Sequence, residues 1–302
     1  MNDPMPRARR SVVDKRLLSA RALRGTGREV AALATHLALY PMGVVSEKLR
    51  DAETRVSLDD LSPAKRGLLI RDVHAAGTPI LLIHGIIDNR SVFTMLRRSL
   101  SRRGFGRVMT MNYSVLTADV RDAAAQLGRV VERVVEETGY DRIHVVGHSL
   151  GGLVARYYVQ RLGGDKHVHT LVTLGAPHAG TNAARLVPQR LVRQLRPGSD
   201  LVNELAEPAP GCQTRFVAFW SDLDQIIIPK SSARIDHPDL QARNVLLRGV
   251  GHLSLPIDRR VVHEIAHTLA HLDSSGEVAG SETPDAPATR RKKPTSKAKR
   301  SA

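Results

Sequence analysis

From about residue 68 onward, short apolar or β-branched runs alternate with longer segments in which apolar residues recur every three to four positions. The short runs predict buried strands and the longer segments predict amphipathic helices. The predicted strands are Thr78–His84, Val108–Tyr113, Arg142–Val146, Val168–Leu174, Thr214–Phe219 and Asn244–Leu247. The predicted helices are Ser91–Ser101, Ala118–Glu137, Leu150–Leu162 and Asp258–His271, the first capped by Asn89 or Ser91. This alternation predicts an α/β fold with a mostly parallel central sheet and helices on both faces.

Four segments differ in composition. Residues 1–29 are rich in arginine and predict a flexible basic segment, and residues 30–64 predict a helical extension because Val30, Leu33 and Leu37 have helical spacing. Residues 65–272 hold the alternating pattern of the α/β domain. Residues 273–302 are polar and then basic, and such a composition buries too little apolar surface to order itself. The extension is expected to pack on the domain, or alternatively to contact a membrane or a partner.

The chain of 302 residues carries a net charge of +15. Basic ends favour anionic membrane surfaces, nucleic acid or acidic partners, although surface charge also serves solubility alone. Nucleic acid is disfavoured because no groove-reading motif accompanies the basic runs. A single cysteine, Cys212, excludes an intramolecular disulfide. The sequence shows no standard signal peptide, and the apolar segment Val30–Val45 is shorter than the ~20 residues of a spanning helix, so we expect a cytoplasmic or peripherally membrane-associated protein.

The sequence Gly147-His148-Ser149-Leu150-Gly151 lies where a predicted strand meets a predicted helix. A serine at such a turn exposes its hydroxyl, while the two glycines avoid clashes across the tight backbone. Ser149 is therefore the predicted nucleophile.

An acyl-transfer serine also needs backbone donors for the developing oxyanion. The amide of Leu150 is one candidate, since it directly follows the nucleophile. The second is expected after an earlier strand, and the apolar run ending in His84-Gly85 places the amide of Ile86 there. His84 precedes Ser149 in the chain and is expected to orient this loop rather than act as the base.

The acid and the base of such a site follow the nucleophile on loops after later strands. The loop after Thr214–Phe219 offers Asp222 and Asp224, of which we favour Asp224 as the acid. The loop after the last strand contains Gly251-His252, and His252 is the predicted base.

His263, His267 and His271 recur every four residues on the last predicted helix. This spacing can ligate a metal, but no carboxylate or cysteine cluster accompanies it, so a solvated or packed helix face is favoured. No cofactor is predicted.

Five motifs occur in order. They are His84-Gly85, the elbow from Gly147 to Gly152, the run Leu171–Thr181, Asp224-Gln225-Ile226-Ile227 and Gly249-Val250-Gly251-His252. Together they resemble bacterial triacylglycerol lipases and related carboxylesterases of the α/β-hydrolase superfamily, over roughly residues 65–272.

The resemblance implies a Ser149, His252 and Asp224 triad, an oxyanion hole of the Ile86 and Leu150 amides, and a cap between the sixth and seventh strands of the family's sheet. That cap corresponds to about residues 182–210. It contains Leu186, Val187, Leu191 and Val192 among four arginines, which predicts an amphipathic basic helix that acts as a lid, meets anionic lipid or is fixed.

The implied activity is hydrolysis of carboxylic esters, with lipids as substrates. A thioester or phospholipid acyl hydrolase with the same triad is the second reading, because fold and triad do not set the substrate. A catalytically weak protein that binds membranes or nucleic acid through its basic ends is the third.

Overall fold

The computed structural model describes residues 77–86, 90–113 and 119–270, with the side chains of Arg90 and Ser91 left out of the description. Six parallel strands form one sheet in the order β2-β1-β3-β4-β5-β6. The strands are β1 (Ile80–Ile83), β2 (Val108–Met111), β3 (Ile143–His148), β4 (Val168–Leu174), β5 (Arg215–Ser221) and β6 (Gln241–Leu247). All the carboxyl ends therefore lie along one edge of the sheet, which we call the carboxyl edge.

Helices cover both faces of this sheet. They are α1 (Thr94–Arg102), α2 (Val120–Thr138), α3 (Leu150–Arg161), α4 (Arg190–Arg193), α5 (Asp200–Glu204) and α6 (Arg259–Ala270), with 3-10 turns at Arg90–Phe93, Gly164–Lys166, Asn182–Arg185 and Lys230–Ala233. Alternate residues of β1 face opposite sides: Leu81 and Ile83 pack with α2 and α3, whereas Ile80 and Leu82 pack with α1 and α6. Burial on both faces explains why the central strands are largely apolar or β-branched.

The predicted α/β architecture is confirmed, but the starts of strand β6 and helix α1 differ from expectation. Strand β6 begins at Gln241, three residues before the predicted start, because Gln241 pairs with Arg215 of β5. Its first residues are exposed or only partly buried, as at a sheet edge, so they show no apolar run. Helix α1 begins at Thr94 with Phe93 in the N-cap position, so the predicted capping by Ser91 is wrong. Burial of Val92 and Phe93 against the sheet holds the preceding turn in place.

The cap is not a single amphipathic helix, and that expectation is wrong. Residues 182–205 form a 3-10 turn and two short helices, and Pro188, which cannot donate a backbone hydrogen bond, lies between the first two. Leu191 and Leu195 are buried, as an amphipathic pattern requires, but Leu186 is exposed.

Several predictions fall outside the described residues. They concern the basic segment 1–29, the extension 30–64, the first residues of the α/β domain up to residue 76, the capping role of Asn89, His271, and the tail 273–302.

Candidate active site

Ser149 lies at the sharp turn between β3 and α3. Its backbone has φ 52° and ψ −122°, and it is the only non-glycine residue with positive φ in the part of the chain that the structure describes. Such a conformation costs ~1–3 kcal/mol and persists only where the surroundings impose it. The amide of Ser149 donates to the carbonyl of Leu174 at the end of β4 (2.8 Å), which helps to impose it here.

The glycines of the turn are required by close backbone contacts. A Cβ on Gly147 would lie 2.5 Å from the Cα of Gly152, and a Cβ on Gly151 would lie 2.4 Å from the carbonyl oxygen of Ile83. Both distances are shorter than real Cβ contacts. The turn therefore packs directly against the end of β1, where the proposed oxyanion loop begins.

His252 and Asp224 form a buried pair on loops that follow β6 and β5. The Nδ1 atom of His252 lies 2.7 Å from Oδ2 of Asp224, and both residues are almost fully buried. Because an ionised carboxylate can only accept, Nδ1 carries the proton and Nε2 is left as the basic nitrogen. The other oxygen of Asp224 accepts from the amides of Ile226 and Ile227, each at 2.9 Å.

These contacts keep Asp224 ionised. Burial acts to raise the pKa of Asp224, but the charge and hydrogen bond of His252, with the two backbone amides, outweigh it and hold the pKa below its usual value. An ionised carboxylate stabilises an imidazolium on His252, as a general base requires.

Asp222, the alternative acid, points elsewhere. Its side chain is exposed, and Oδ1 accepts from the amide of Gly249 at 2.7 Å. Asp222 thereby ties the loop after β5 to the loop after β6. Ser221, next to it, donates to the carbonyl of Val250 and reinforces the same connection.

His148 connects the nucleophile turn to the loop of His252. The Nε2 atom of His148 lies 3.1 Å from the carbonyl oxygen of His252, and the centroids of the two imidazole rings lie 5.0 Å apart. A carbonyl only accepts, so Nε2 of His148 is the donor. The residue before Ser149 is thus hydrogen-bonded to the backbone of the predicted base.

The proposed oxyanion loop is held by His84. Its Nδ1 donates to the carbonyl of Gly85 (2.8 Å), and its ring stacks on Tyr113 with centroids 4.7 Å apart. The hydroxyl of Tyr113 donates to the carbonyl of His84 (2.8 Å). Ile86 follows, half-buried against the core, and Leu150 is the first residue of α3. These contacts join the ring and backbone of His84 to Gly85 and Tyr113, and the orienting role of His84 stays a prediction.

Sequence reasoning did not assign two supporting residues. Gly175 has φ 57°, and a Cβ there would lie 3.1 Å from both Asp224 Oδ2 and His252 Nδ1. The signal was the glycine directly after β4, within the run Leu171–Thr181. Tyr113, at the end of β2, had no local signal, because its contact with His84 spans 29 residues of sequence.

Two other histidines are almost fully buried, which disfavours their charged form. Burial lowers the pKa of His144 to about 3 and lowers that of His178 well below its usual range. Within the described ranges there is no group of three His, Cys, Asp or Glu residues arranged to hold a metal ion. No helix in those ranges is both long and apolar enough to cross a membrane.

Comparison with solved structures decides the fold. The mature lipase of Bacillus licheniformis superposes with a TM-score of 0.56 at 15% identity, over 65% of this chain and 93% of that one. Lipase B of Aspergillus fumigatus gives 0.57 at 15% identity, over 65% and 52%. The chain has the α/β-hydrolase fold.

Sequence comparisons agree with this hydrolase fold. Residues 79–209 match the palmitoyl protein thioesterase family. Triacylglycerol lipases of Pseudarthrobacter phenanthrenivorans and Burkholderia plantarii are each 28% identical over 125 residues, covering 38% of this chain and 38% and 34% of theirs. The chain thus spans little more than a third of these relatives, and the predicted resemblance to bacterial triacylglycerol lipases is confirmed.

Proposed function

We propose that the protein is a serine hydrolase that cleaves carboxylic esters of lipids through an acyl-enzyme. The observation that carries the proposal is the strained Ser149 beside a buried His252–Asp224 pair, with His148 joining the two parts. Three loops from the ends of β3, β5 and β6 converge at one place, as nucleophilic catalysis requires. Lipid esters as substrates are supported by the lipases among its relatives.

In this mechanism the Ser149 hydroxyl attacks the ester carbonyl while Nε2 of His252 takes its proton. The amides of Leu150 and Ile86 stabilise the oxyanion, and Asp224 stabilises the imidazolium. His252 then returns the proton to the leaving alcohol as the acyl-enzyme forms. Water, activated by His252, releases the acid and regenerates Ser149.

Substitution of Ser149 by alanine tests the proposal. We expect kcat for an aryl ester to fall by roughly 10⁶-fold. Asp224→Asn and Asp222→Asn form a matched pair: the first is expected to lower kcat by roughly 10⁴-fold because it disturbs the tautomer of His252, the second to lower kcat far less. Ester hydrolysis that persists in Ser149→Ala contradicts the proposal.

A thioester is the second candidate substrate. It is favoured by the match of residues 79–209 to the palmitoyl protein thioesterase family. Aryl esters and acyl-thioesters of the same chain length, compared by kcat/KM, separate the candidates. A higher kcat/KM for the thioester at every chain length would assign the protein to thioester hydrolysis.

A further inference from the structure

Three large apolar side chains are exposed beside one junction of the cap. Leu186, Val187 and Ile228 are 85%, 36% and 45% exposed. The amide of Asn182 donates to the carbonyl of Ile228 (2.7 Å), and the amide of Ile228 donates to Oγ1 of Thr181 (2.9 Å). Two separate loops are thereby fastened together, and both carry apolar side chains into solvent. We call residues 185–193 together with Ile228 the cap ridge.

The cap ridge lies at the same edge of the sheet as the active site. Ile228 follows Asp224 by four residues on the loop after β5, and the cap begins shortly after β4 ends at Leu174. Ser149 follows β3, the neighbour of β4 in the sheet. A surface that contacted the cap ridge would therefore face the carboxyl edge, where the substrate reacts.

The charge of this region has one sign. Residues 180–199 contain four arginines and no acidic residue. Arg185, Arg190 and Arg193 are exposed, and none of them forms a salt bridge within the described part of the chain. Arg121, by contrast, is paired with Glu204 at the other end of the cap. The ridge thus combines exposed apolar side chains with arginines that form no salt bridge to the residues that the structure describes.

The base of the cap ridge is fixed. The amide of Thr181 donates to the carbonyl of Leu195 (2.7 Å), and Nε of Arg196 donates to the carbonyl of Ala184 (3.1 Å). Buried Arg156 donates to the carbonyl of Leu205 (2.9 Å), and the hydroxyl of Tyr157 donates to Glu204 (2.8 Å). The first two contacts close the segment 181–196 on itself, and the last two fasten the far end of the cap to α3. The ridge is therefore exposed without any opening movement.

We propose that the cap ridge is a preformed docking surface for anionic lipid membranes. This inference rests on the proposed function, because docking would bring the ester-hydrolysing site to the membrane that contains its lipid substrate. Leu186 and Val187 enter the headgroup boundary while the three arginines meet lipid phosphates. A symmetric contact with a second copy is disfavoured, because it would bring two arginine-rich ridges together.

Cosedimentation with vesicles tests the proposal. The full chain carries Ser149→Ala, so that the measured binding does not depend on hydrolysis of the lipid. The vesicles contain phosphatidylcholine alone, or equal parts of phosphatidylcholine and phosphatidylglycerol. The triple variant Arg185→Ser, Arg190→Ser, Arg193→Ser is expected to bind anionic vesicles roughly 10²-fold more weakly, since each arginine near such a surface contributes about 1 kcal/mol. Leu186→Ser with Val187→Ser is expected to weaken binding at high salt, where the apolar contribution remains.

The matched control is Arg98→Ser, Arg129→Ser, Arg133→Ser, which removes the same charge from exposed positions on α1 and α2. It is expected to retain most of the vesicle binding. Equal losses in both triple variants would overturn the proposal in favour of total charge. Analytical sedimentation measures self-association. If the protein self-associates and the ridge variants abolish this, the cap ridge is instead a contact with a second copy of the chain. Ester hydrolysis by the unsubstituted chain is measured separately, so failure of the proposed function is distinguished from failure of docking.

Discussion

At the scale of single residues, the nucleophile turn requires a residue without a Cβ at position 151. Gly151 lies against the carbonyl oxygens of Ile83 and His84, where a Cβ would be 2.4 and 2.5 Å away. We expect Gly151→Ala to lower the free energy of unfolding by ~1–3 kcal/mol through overpacking. It should also lower kcat/KM more than tenfold, because the clash would displace the backbone of Ile83 and His84, which leads into the proposed oxyanion loop.

Gly139→Ala is the control for backbone strain without a clash. Gly139 caps α2 at φ 69°, and a Cβ there would meet nothing within 4 Å. It is expected to cost ~1 kcal/mol in stability and to leave kcat/KM unchanged. Thermal unfolding and aryl-ester kinetics on both variants make the comparison, and wild-type kcat/KM in Gly151→Ala would refute the packing argument.

His148 is expected to position His252 rather than to react. His148→Leu removes the ring donor to the carbonyl of His252 and leaves that carbonyl with the longer bond from the amide of Leu255 (3.4 Å), an expected loss of ~1 kcal/mol in stability. We expect kcat to fall by about tenfold or more, with KM nearly unchanged. His148→Gln retains an N–H donor and should recover part of kcat. Equal kcat in the two variants would show that the ring acts only through packing.

The depressed pKa of Asp224 gives stability a defined pH dependence. Because its folded pKa lies below the unfolded value, its contribution is fully present above about pH 4 and is lost as pH falls through the folded pKa. The difference in free energy of unfolding between wild type and Asp224→Asn should therefore shrink as pH is lowered from 7 into that acid range. Denaturant titrations across that range measure it, and a constant difference would contradict the assignment.

At the scale of elements, the sequence predicted best where burial is two-sided. Strands β1, β3 and β4 are almost fully buried and largely apolar or β-branched, so their positions were predicted to within about two residues. The first residues of β6 carry no such run, because their place in the sheet comes from pairing with β5. The contact of Asp224 with His252 was expected, because an acid and then a base follow the nucleophile in the predicted fold. The contact of Tyr113 with His84 arises because strands β1 and β2 are neighbours and end side by side, which no local pattern indicates.

The cap shows that hydrophobic periodicity predicts the wrong element where a segment is held by contacts with distant parts of the chain. Leu191 and Leu195 have helical spacing and are buried, but Pro188 interrupts the helical hydrogen bonds before them. The start of the cap is held instead by Thr181 and Asn182, which donate to the carbonyls of Ile226 and Ile228 in the loop after β5. Distant contacts, such as that of Arg156 on α3 with Leu205, could not be read from local pattern.

Arg156 gives a prediction about this element. Its guanidinium is buried, which lowers its pKa to about 10, and it donates to the carbonyls of Leu205 and His178. Arg156→Met removes both donations and leaves the carbonyl of Leu205 with only a long contact from Nε2 of Gln160 (3.5 Å), so we expect a loss of about 2 kcal/mol in stability. Arg133→Met, on an exposed position of α2, should change stability by less than ~0.5 kcal/mol. Chemical denaturation compares them, and equal effects would show that Arg156 does not anchor the cap.

At the scale of the whole molecule, charge and chemistry are carried by different parts of the chain. The contacts that form the candidate site join residues between His84 and His252, whereas much of the net charge of +15 lies in the basic ends. Electrostatic attraction to a surface acts over about a Debye length, ~10 Å at moderate salt, so it adds to binding without altering the reacting groups. Charge can therefore be removed from the tail without touching the catalytic machinery.

Deletion of residues 277–302 tests this separation. We expect kcat/KM for a soluble aryl ester to stay within about twofold of wild type, because the predicted nucleophile, acid and base, Ser149, Asp224 and His252, all lie outside the deleted segment. Binding to anionic vesicles should weaken at low salt, since seven basic and three acidic residues are removed. At high salt, the truncated and full-length chains should bind nearly alike, because the apolar side chains of the cap ridge remain. If truncation abolished vesicle binding at every salt concentration, the tail and not the cap ridge would be the membrane contact.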